Sequence, residues 1–435
     1  MTDGSRPVTA ASPPRGRSLA SSVSRSALVA LLARIERGRI EVVDVDGSRR
    51  TFGEPAGDGA VTVRIRDTRV WSAVARRGSI GYGKSYADGW WDTDDLVELT
   101  RILIRNLGPV DRLRSRWADL LRVPRDPLSR VVPRPGRGRN RRDIAAHYDL
   151  GNEFFATFLD DTMTYSCAVF ADPGEPLERA SNRKYDRLLD KLGVTSGTSI
   201  LEIGSGWGGF ATRACRRGAH VTTTTISEAQ HDRVRQLVEE GSVTDVTPLM
   251  VDWRDLPARG RRYDRVVSIE MIEAVDWRDY RGYFDAIERC LEPDGMVGLQ
   301  AICLPDQRYE AGKYRDDFIK RHIFPGGMLP SHGALVDAAA RRGTLQLLDV
   351  EDITSHYAET LRRWREHFDA AEERLDALGY DEWFRRLWRM YLAYCEAAFA
   401  ERHCTVGQFV FVGPQWRGSP TLGRSCTAWG SARLR

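Results

Sequence analysis

The chain has no apolar run approaching the roughly 18–20 residues that a helix needs to cross a bilayer. It also lacks cysteine pairs at metal-ligand or redox spacing. Its seven cysteines (Cys167, Cys215, Cys290, Cys303, Cys395, Cys404 and Cys426) are odd in number, scattered, and contain no C-x-x-C. That pattern argues against a zinc site and a disulfide framework, and implies a reduced, cytoplasmic setting. Lysine is scarce, with five among 65 basic residues. Such an arginine excess reflects genomic base composition as readily as binding. Residues 1–25 hold no uninterrupted apolar segment, because Arg25 breaks a stretch rich in Ser, Arg, Pro and Ala. They are expected to form a disordered leader and not a signal peptide.

The 435 residues, 42% hydrophobic and 29% charged with a net charge of +4, suit two or three soluble units. A first unit is expected over 26–121. Within it Ser26–Glu36 reads as a helix, Ile40–Phe52 as a hairpin turning at Asp46-Gly47, and Val61–Ile65 as a strand. Gly78–Trp91 ends in paired tryptophans beside glycines. Core filling is the favoured reading of these, with an accessory lipid-docking unit as the alternative. Residues 122–142 carry eight arginines, four prolines and one acid, Asp126. This is an extended linker and a domain boundary. Its charge suits a solvated linker or the anionic surface of a membrane. No nucleic-acid-reading module accompanies it, so membrane contact is the better functional reading. A second unit is expected over 143–413, with helical lid inserts at 304–330 and 352–405, and a disordered tail at 414–435. In the second insert Tyr357, Leu361, Trp364 and Phe368 recur at helical spacing, as do Phe384, Leu387, Met390 and Tyr391. Such a stripe is core, or the wall of a channel for a long acyl chain.

Residues 199–209, Ser-Ile-Leu-Glu-Ile-Gly-Ser-Gly-Trp-Gly-Gly, describe a buried strand that turns tightly into a helix. The glycines permit the turn and allow a ligand close to the main chain. Their spacing is G-x-G-x-G-G, not the G-x-G-x-x-G of a pyrophosphate turn. The next strand, Ala219–Ile226, ends without the acid that a nicotinamide enzyme offers to a ribose hydroxyl. After it comes Asp252-Trp253, an acid and an aromatic suited to an adenine edge and face. Further strands are expected at Asp264–Glu270, Gly295–Cys303, Leu345–Val350 and Gln408–Val412. Strands alternating with helices give an α/β fold, a doubly wound and mostly parallel seven-stranded sheet, beside a smaller α+β N-terminal domain. On its own the glycine turn also fits other α/β proteins. It resembles the first motif of Rossmann-like class I methyltransferases, which bind S-adenosylmethionine. That resemblance places the cofactor against Glu202, Gly204, Gly206, Thr225, Ile226, Gln230, Asp252 and Trp253, with Tyr148, Tyr165 and Ser166 closing over it.

His147-Tyr-Asp-Leu-Gly-Asn-Glu-Phe-Phe155 and Met163-Thr-Tyr-Ser-Cys167, ahead of the glycine motif, are similar to the cyclopropane-fatty-acid synthase and mycolic acid methyltransferase family. The likeness covers 143–413 and extends more weakly to Gly78–Trp91. Glu270-Met-Ile-Glu-Ala-Val, Ile323-Phe-Pro-Gly-Gly and His356-Tyr-Ala-Glu-Thr-Leu most resemble an actinobacterial branch associated with methyl-branched acids of the tuberculostearic type. The resemblance implies methyl transfer to a cis double bond of a phospholipid acyl chain, at the inner membrane face. A homodimer and a separate reductase stay open, and no nucleic acid is expected. Attack by an alkene leaves a cation that aromatic faces stabilise, with Tyr165, Tyr314 and Tyr391 as candidates. A base then removes a proton, giving a cyclopropane or, after a hydride shift, a methylene branch.

The family resemblance further implies a bound bicarbonate as that base, held here by Cys167, Glu273, Gln300, Ile302 and Tyr391. Two positions depart from the family pattern, which has histidine at Gln300 and at Ala274. Glutamine donates an N–H but takes up no proton, so a histidine relay is excluded there. Cys167 on an apolar segment also fits inert core, and Glu273 also fits a helix cap. A methyltransferase acting on a small polar acceptor, and a catalytically silent lipid-binding protein, are the competing functions.

Overall fold

The computed structural model describes residues 19–54, 59–107, 150–341 and 343–418. The chain divides into two units, Met1–Arg114 and Ser115–Arg435. In the first, helix α1 (Leu19–Leu32) precedes strands β1 (Ile40–Val43), β2 (Arg49–Phe52) and β3 (Val61–Ile65), helices α2 (Arg69–Arg77) and α3 (Ser79–Ala87), strand β4 (Trp91–Thr93) and helix α4 (Leu96–Arg105). The sheet order is β2-β1-β3-β4, with β1 antiparallel to β2 and parallel to β3. The hairpin turns where expected, Gly47 taking φ +81°. The first helix does not. It begins at Leu19, inside the stretch expected to be disordered, and ends at Leu32 instead of Glu36. Trp91 is 2% exposed and its indole N–H donates to Ser85 Oγ at 3.0 Å, so it fills the core. Trp90 is half-buried under the Arg69 guanidinium, 4.4 Å from its ring. At Gly81 a Cβ would stand 2.0 Å from the Ala73 carbonyl oxygen, so only glycine lets α3 lie this close to α2.

The second unit runs α5 (Asn152–Phe155), α6 (Leu177–Lys191), β5 (Ser199–Ile203), α7 (Gly209–Cys215), β6 (His220–Thr225), α8 (Glu228–Glu239), β7 (Val246–Met250), β8 (Tyr263–Ile269), α9 (Tyr280–Cys290) and β9 (Leu291–Cys303). Then follow α10 (Asp306–Gly312), α11 (Phe318–His322), α12 (His332–Ala340), β10 (Gln346–Asp352), α13 (Thr354–Ala370), α14 (Glu372–Ala377), α15 (Glu382–Ala400) and β11 (Thr405–Val412). The seven strands lie in the order β10-β11-β9-β8-β5-β6-β7. Strands β5 to β9 pair in parallel, while β11 pairs antiparallel with β9 and β10. The expected doubly wound, mostly parallel sheet is present.

Parallel strands are covered on both faces, which explains their continuous apolar runs. One face carries Leu201, Val266, Val297 and Leu299 against Tyr283, Phe284 and Ile287 of α9 and Leu335 of α12. The other carries Ile200, Val221, Val267 and Val410 against Leu188 and Leu189 of α6 and Phe210 of α7. The start of the expected disordered tail is ordered: Gln415 N–H donates to the Pro293 carbonyl at 2.9 Å and Trp416 packs against the second core. Because β5, β6, β7, β8 and β9 are parallel, their carboxyl ends share one edge, and the loops there carry the chemistry.

Candidate active site

The turn after β5 is built as the glycines predict. Gly204, Gly206 and Gly208 take φ of +97°, +50° and +92°. A Cβ on Gly208 would press on Val234 and Leu237, and one on Gly204 on Met271. One on Gly206 would meet no atom within 4 Å, so the main chain there faces open space, as a ligand cradle requires. Glu202, 2% exposed, accepts from Thr223 Oγ1 at 2.6 Å across the β5–β6 pair. Burial pushes its carboxyl up to about 8, against the pull of the Thr223 hydrogen bond and the Lys184 charge. At the end of β6, Thr225 Oγ1 donates to Gln230 Oε1 at 2.8 Å and accepts from Ser227 N–H at 3.1 Å, while Ser227 caps α8. Ile226 beside them is half-buried. Beyond β7, Asp252 is ion-paired with Arg254 at 3.0 Å, and that guanidinium lies 4.4 Å from the Trp253 ring. Trp253 in turn meets Tyr283 edge to face. These residues fit S-adenosylmethionine. Tyr148 lies outside the described residues.

Two of the residues expected to surround the reacting carbon, Cys167 and Gln300, converge on a carboxylate that the sequence left without a role. Strand β8 ends at Ile269, and Glu270 follows with φ +49°, a left-handed conformation rare for a side-chain-bearing residue and common at functional sites. Glu270 Oε1 accepts from the Cys167 N–H at 2.9 Å and from Gln300 Nε2 at 2.7 Å. Its Oε2 accepts from the Tyr357 hydroxyl at 2.7 Å. Burial raises its pKa, opposed first by the Lys184 charge and then by these donors. Gln300 is fully buried, and its Oε1 accepts in turn from Gln408 Nε2 at 3.1 Å.

Glu273 sits one turn further on. Its Oε1 accepts from the Ile302 N–H at 2.6 Å, while its buried Oε2 has no hydrogen-bond partner among the described residues. Burial, with the neighbouring Glu270 charge, pushes it up to about 8. The Cys167 thiol is raised well above its ordinary value by burial, so it is not a nucleophile at neutral pH. Its contribution is the backbone N–H. Ser166 Oγ accepts from Lys184 Nζ at 2.5 Å.

Above these groups stands an aromatic wall. The Tyr165 and Tyr391 hydroxyls are 2.8 Å apart. Tyr165 lies 5.3 Å from Trp364, 5.2 Å from Phe155 and 6.4 Å from Phe324 between ring centroids. Tyr391, 4% exposed, packs on Trp388 and Phe324. The stripes of α13 and α15 therefore supply Trp364 and Tyr391 to the same cluster. Tyr314 does not join it. It is 40% exposed and packs edge-on against Trp277, because the 304–330 insert turns it outward between α10 and α11.

Residues 136–409 match the mycolic acid cyclopropane synthetase family. The chain is 42% identical over 347 residues to the tuberculostearic acid methyltransferase UfaA1 of Mycobacterium tuberculosis, covering 78% of this chain and 80% of that protein. It is 33% identical over 358 residues to the cyclopropane-fatty-acyl-phospholipid synthase of Escherichia coli, covering 82% and 88%. The solved cyclopropane synthase MmaA2 of M. tuberculosis superposes with a TM-score of 0.58 at 31% identity, over 62% of this chain and 98% of its own. Mycolic acid cyclopropane synthase CmaA1, solved with SAH and CTAB, gives 0.57 at 32% identity over the same shares. On its motifs, its sheet and these likenesses, the chain belongs to the mycolic acid cyclopropane synthetase family of S-adenosylmethionine-dependent methyltransferases.

Proposed function

We propose that this enzyme methylates a carbon of a cis double bond in an unsaturated acyl chain of a phospholipid. The relatives named for tuberculostearic acid and for cyclopropane fatty acyl phospholipid support that substrate class. The observation that carries the reading is a buried pair of carboxylates, Glu270 and Glu273, joined at the strand ends to the aromatic wall through Tyr357, which donates to Glu270 and meets Trp364 edge to face. When bound, S-adenosylmethionine supplies an electrophilic methyl group. Glu202, the Gly206 main chain, Thr225, Ile226, Gln230 and Trp253, with Tyr165 and Ser166, are the residues that would hold it. The Tyr165, Tyr391 and Trp364 rings exclude water and offer π faces to the cation left on the acyl chain.

That cation must lose a proton to an acceptor inside the pocket. Bicarbonate held by Cys167, Glu273, Gln300, Ile302 and Tyr391 is one such acceptor. In this structure, however, the Ile302 donor is engaged by Glu273 and the Tyr391 hydroxyl by Tyr165, while Glu270 takes the Cys167 and Gln300 donors. The chain's own carboxylate therefore stands where two of those donors, from Cys167 and Gln300, converge, and Glu270 is the base this geometry supports best. Purified enzyme given oleoyl and vaccenoyl phospholipid vesicles with S-adenosylmethionine in bicarbonate-free buffer tests the reading. Methylated acyl chains formed at a rate that added bicarbonate leaves unchanged support it. Turnover that requires bicarbonate assigns the proton to that ion, and methylation of a small polar acceptor alone removes the lipid reading.

A further inference from the structure

Lys184 is one of five lysines in the chain, and it has no exposed surface. It projects from α6, a helix whose other basic residues include Arg179, Arg183 and Arg187 in salt bridges. Its ammonium donates to Ser166 Oγ at 2.5 Å and lies 4.2 Å from the Tyr185 ring. Among the described residues no other hydrogen-bond acceptor meets it. A buried ammonium with one acceptor is costly unless compensated by charge. The charges that face it are Glu270 from the end of β8 and Asp160 from the segment ahead of α6, joined by Glu202 from β5 once that carboxyl ionises.

Backbone and amide groups tie the same helix to the base by a second route. Gln408 Nε2 on β11 donates both to the Lys184 carbonyl at 3.3 Å and to Gln300 Oε1 at 3.1 Å, and Gln300 Nε2 donates to Glu270 Oε1. We infer that Lys184 is a positioning residue whose ammonium is the counter-ion of Glu270, keeping the base carboxylate ionised before methyl transfer.

The inference rests on the assignment of Glu270 as base and adds a way to regulate it. Glu270 is faced by the like charge of Glu273, by the Tyr357 hydroxyl and by two amide donors. Among the groups that lower its pKa, the Lys184 charge is the largest. Interaction between two titrating groups is reciprocal, so each shifts the other by the same amount. Burial, opposed by these carboxylates, leaves Lys184 at about 8.

Two experiments test this. With lysine side chains isotopically labelled, Lys184 is expected to titrate near pH 8 in the wild type, and about one unit lower in Glu270→Gln. An unchanged midpoint overturns the inference without requiring any change at Lys184. In Lys184→Met, the acid limb of the kcat–pH profile is expected to move up by about one unit or more, so turnover near neutrality falls roughly tenfold and recovers at higher pH. A uniform loss at every pH would show mere packing and also overturn it. Glu270→Gln assayed in parallel separates the two claims. If that variant stays active, the base assignment fails; if it is inactive and the Lys184→Met profile keeps its wild-type limb, only the Lys184 inference fails.

Discussion

Glu270→Gln removes a charge while nearly keeping the shape of the side chain. Every donor that Glu270 meets has an acceptable partner in the amide. The new Oε1 accepts from the Cys167 N–H and Gln300 Nε2, and the Tyr357 hydroxyl, which both donates and accepts, turns to take the new N–H. Folding is therefore expected to survive. What is lost is the proposed proton acceptor. General-base contributions run at about 10²–10⁴-fold, so kcat is expected to fall by roughly 10³-fold, about 4 kcal/mol of transition-state stabilisation. S-adenosylhomocysteine should bind within about threefold of wild type, a change under about 1 kcal/mol, because the proposed cofactor seat uses Glu202, Thr225 and Gln230. The assay pairs gas chromatography of acyl chains from treated vesicles with calorimetric titration of S-adenosylhomocysteine. Near-normal methylation by the variant would refute the reasoning, since no proton could then be passing to Glu270.

Gly206→Val places a branched side chain in the open space beside the glycine turn, at a φ of +50°; it is expected to abolish S-adenosylhomocysteine binding by calorimetry, and unchanged affinity would count against this seat. The cofactor-free protein should lose stability as pH rises from about 6.5 toward 8. Glu202 and Glu273, both pushed up to about 8 when folded, contribute stability that is fully present below the ordinary carboxyl range and lost as pH passes through the folded value. His356 and His403 are held below their ordinary value, so they are already neutral in that window. Glu273→Gln should flatten the slope of thermal midpoint against pH. The arginine-rich stretch at 122–142, which lies outside the described residues, is expected to draw the enzyme to anionic vesicles at about 1 kcal/mol per basic residue near the surface; sedimentation that ignores ionic strength or anionic lipid would remove the idea.

The sheet was legible because parallel strands buried on both faces are apolar or β-branched: Ile200–Ile203 and Val266–Ile269 are nearly apolar throughout, and Val221–Thr225 is β-branched at every position. The glycine turn was legible because positive φ at three alternating positions leaves few alternatives. The boundaries of α1 were not, since its residues from Leu19 to Arg25 carry Ser and Arg that resemble a polar leader. Glu270 escaped notice because a glutamate at the end of an apolar run reads as strand, whereas its left-handed conformation turns it into the site. The available signal was two glutamates three residues apart, one turn beyond a strand end. Lys184 belongs to no motif that the sequence singles out. Its signal was lysine standing where this chain otherwise uses arginine, at a buried position that suits a compact ammonium better than a planar guanidinium. Tyr314 was misplaced for the converse reason: aromatic identity alone does not say which way an insert turns.

The central claim is that a transferred methyl arrives on a double-bond carbon and then surrenders a proton inside the pocket. The measurement that addresses it most directly supplies S-adenosylmethionine with a fully deuterated methyl group to the wild-type enzyme and oleoyl-phosphatidylglycerol vesicles. Mass spectrometry then reads the acyl chains. The account predicts label on the acyl chain with one deuterium lost, because the base takes it from the new methyl in forming either a cyclopropane or a methylene branch. Acyl chains that remain unlabelled, or that keep every deuterium, would contradict it.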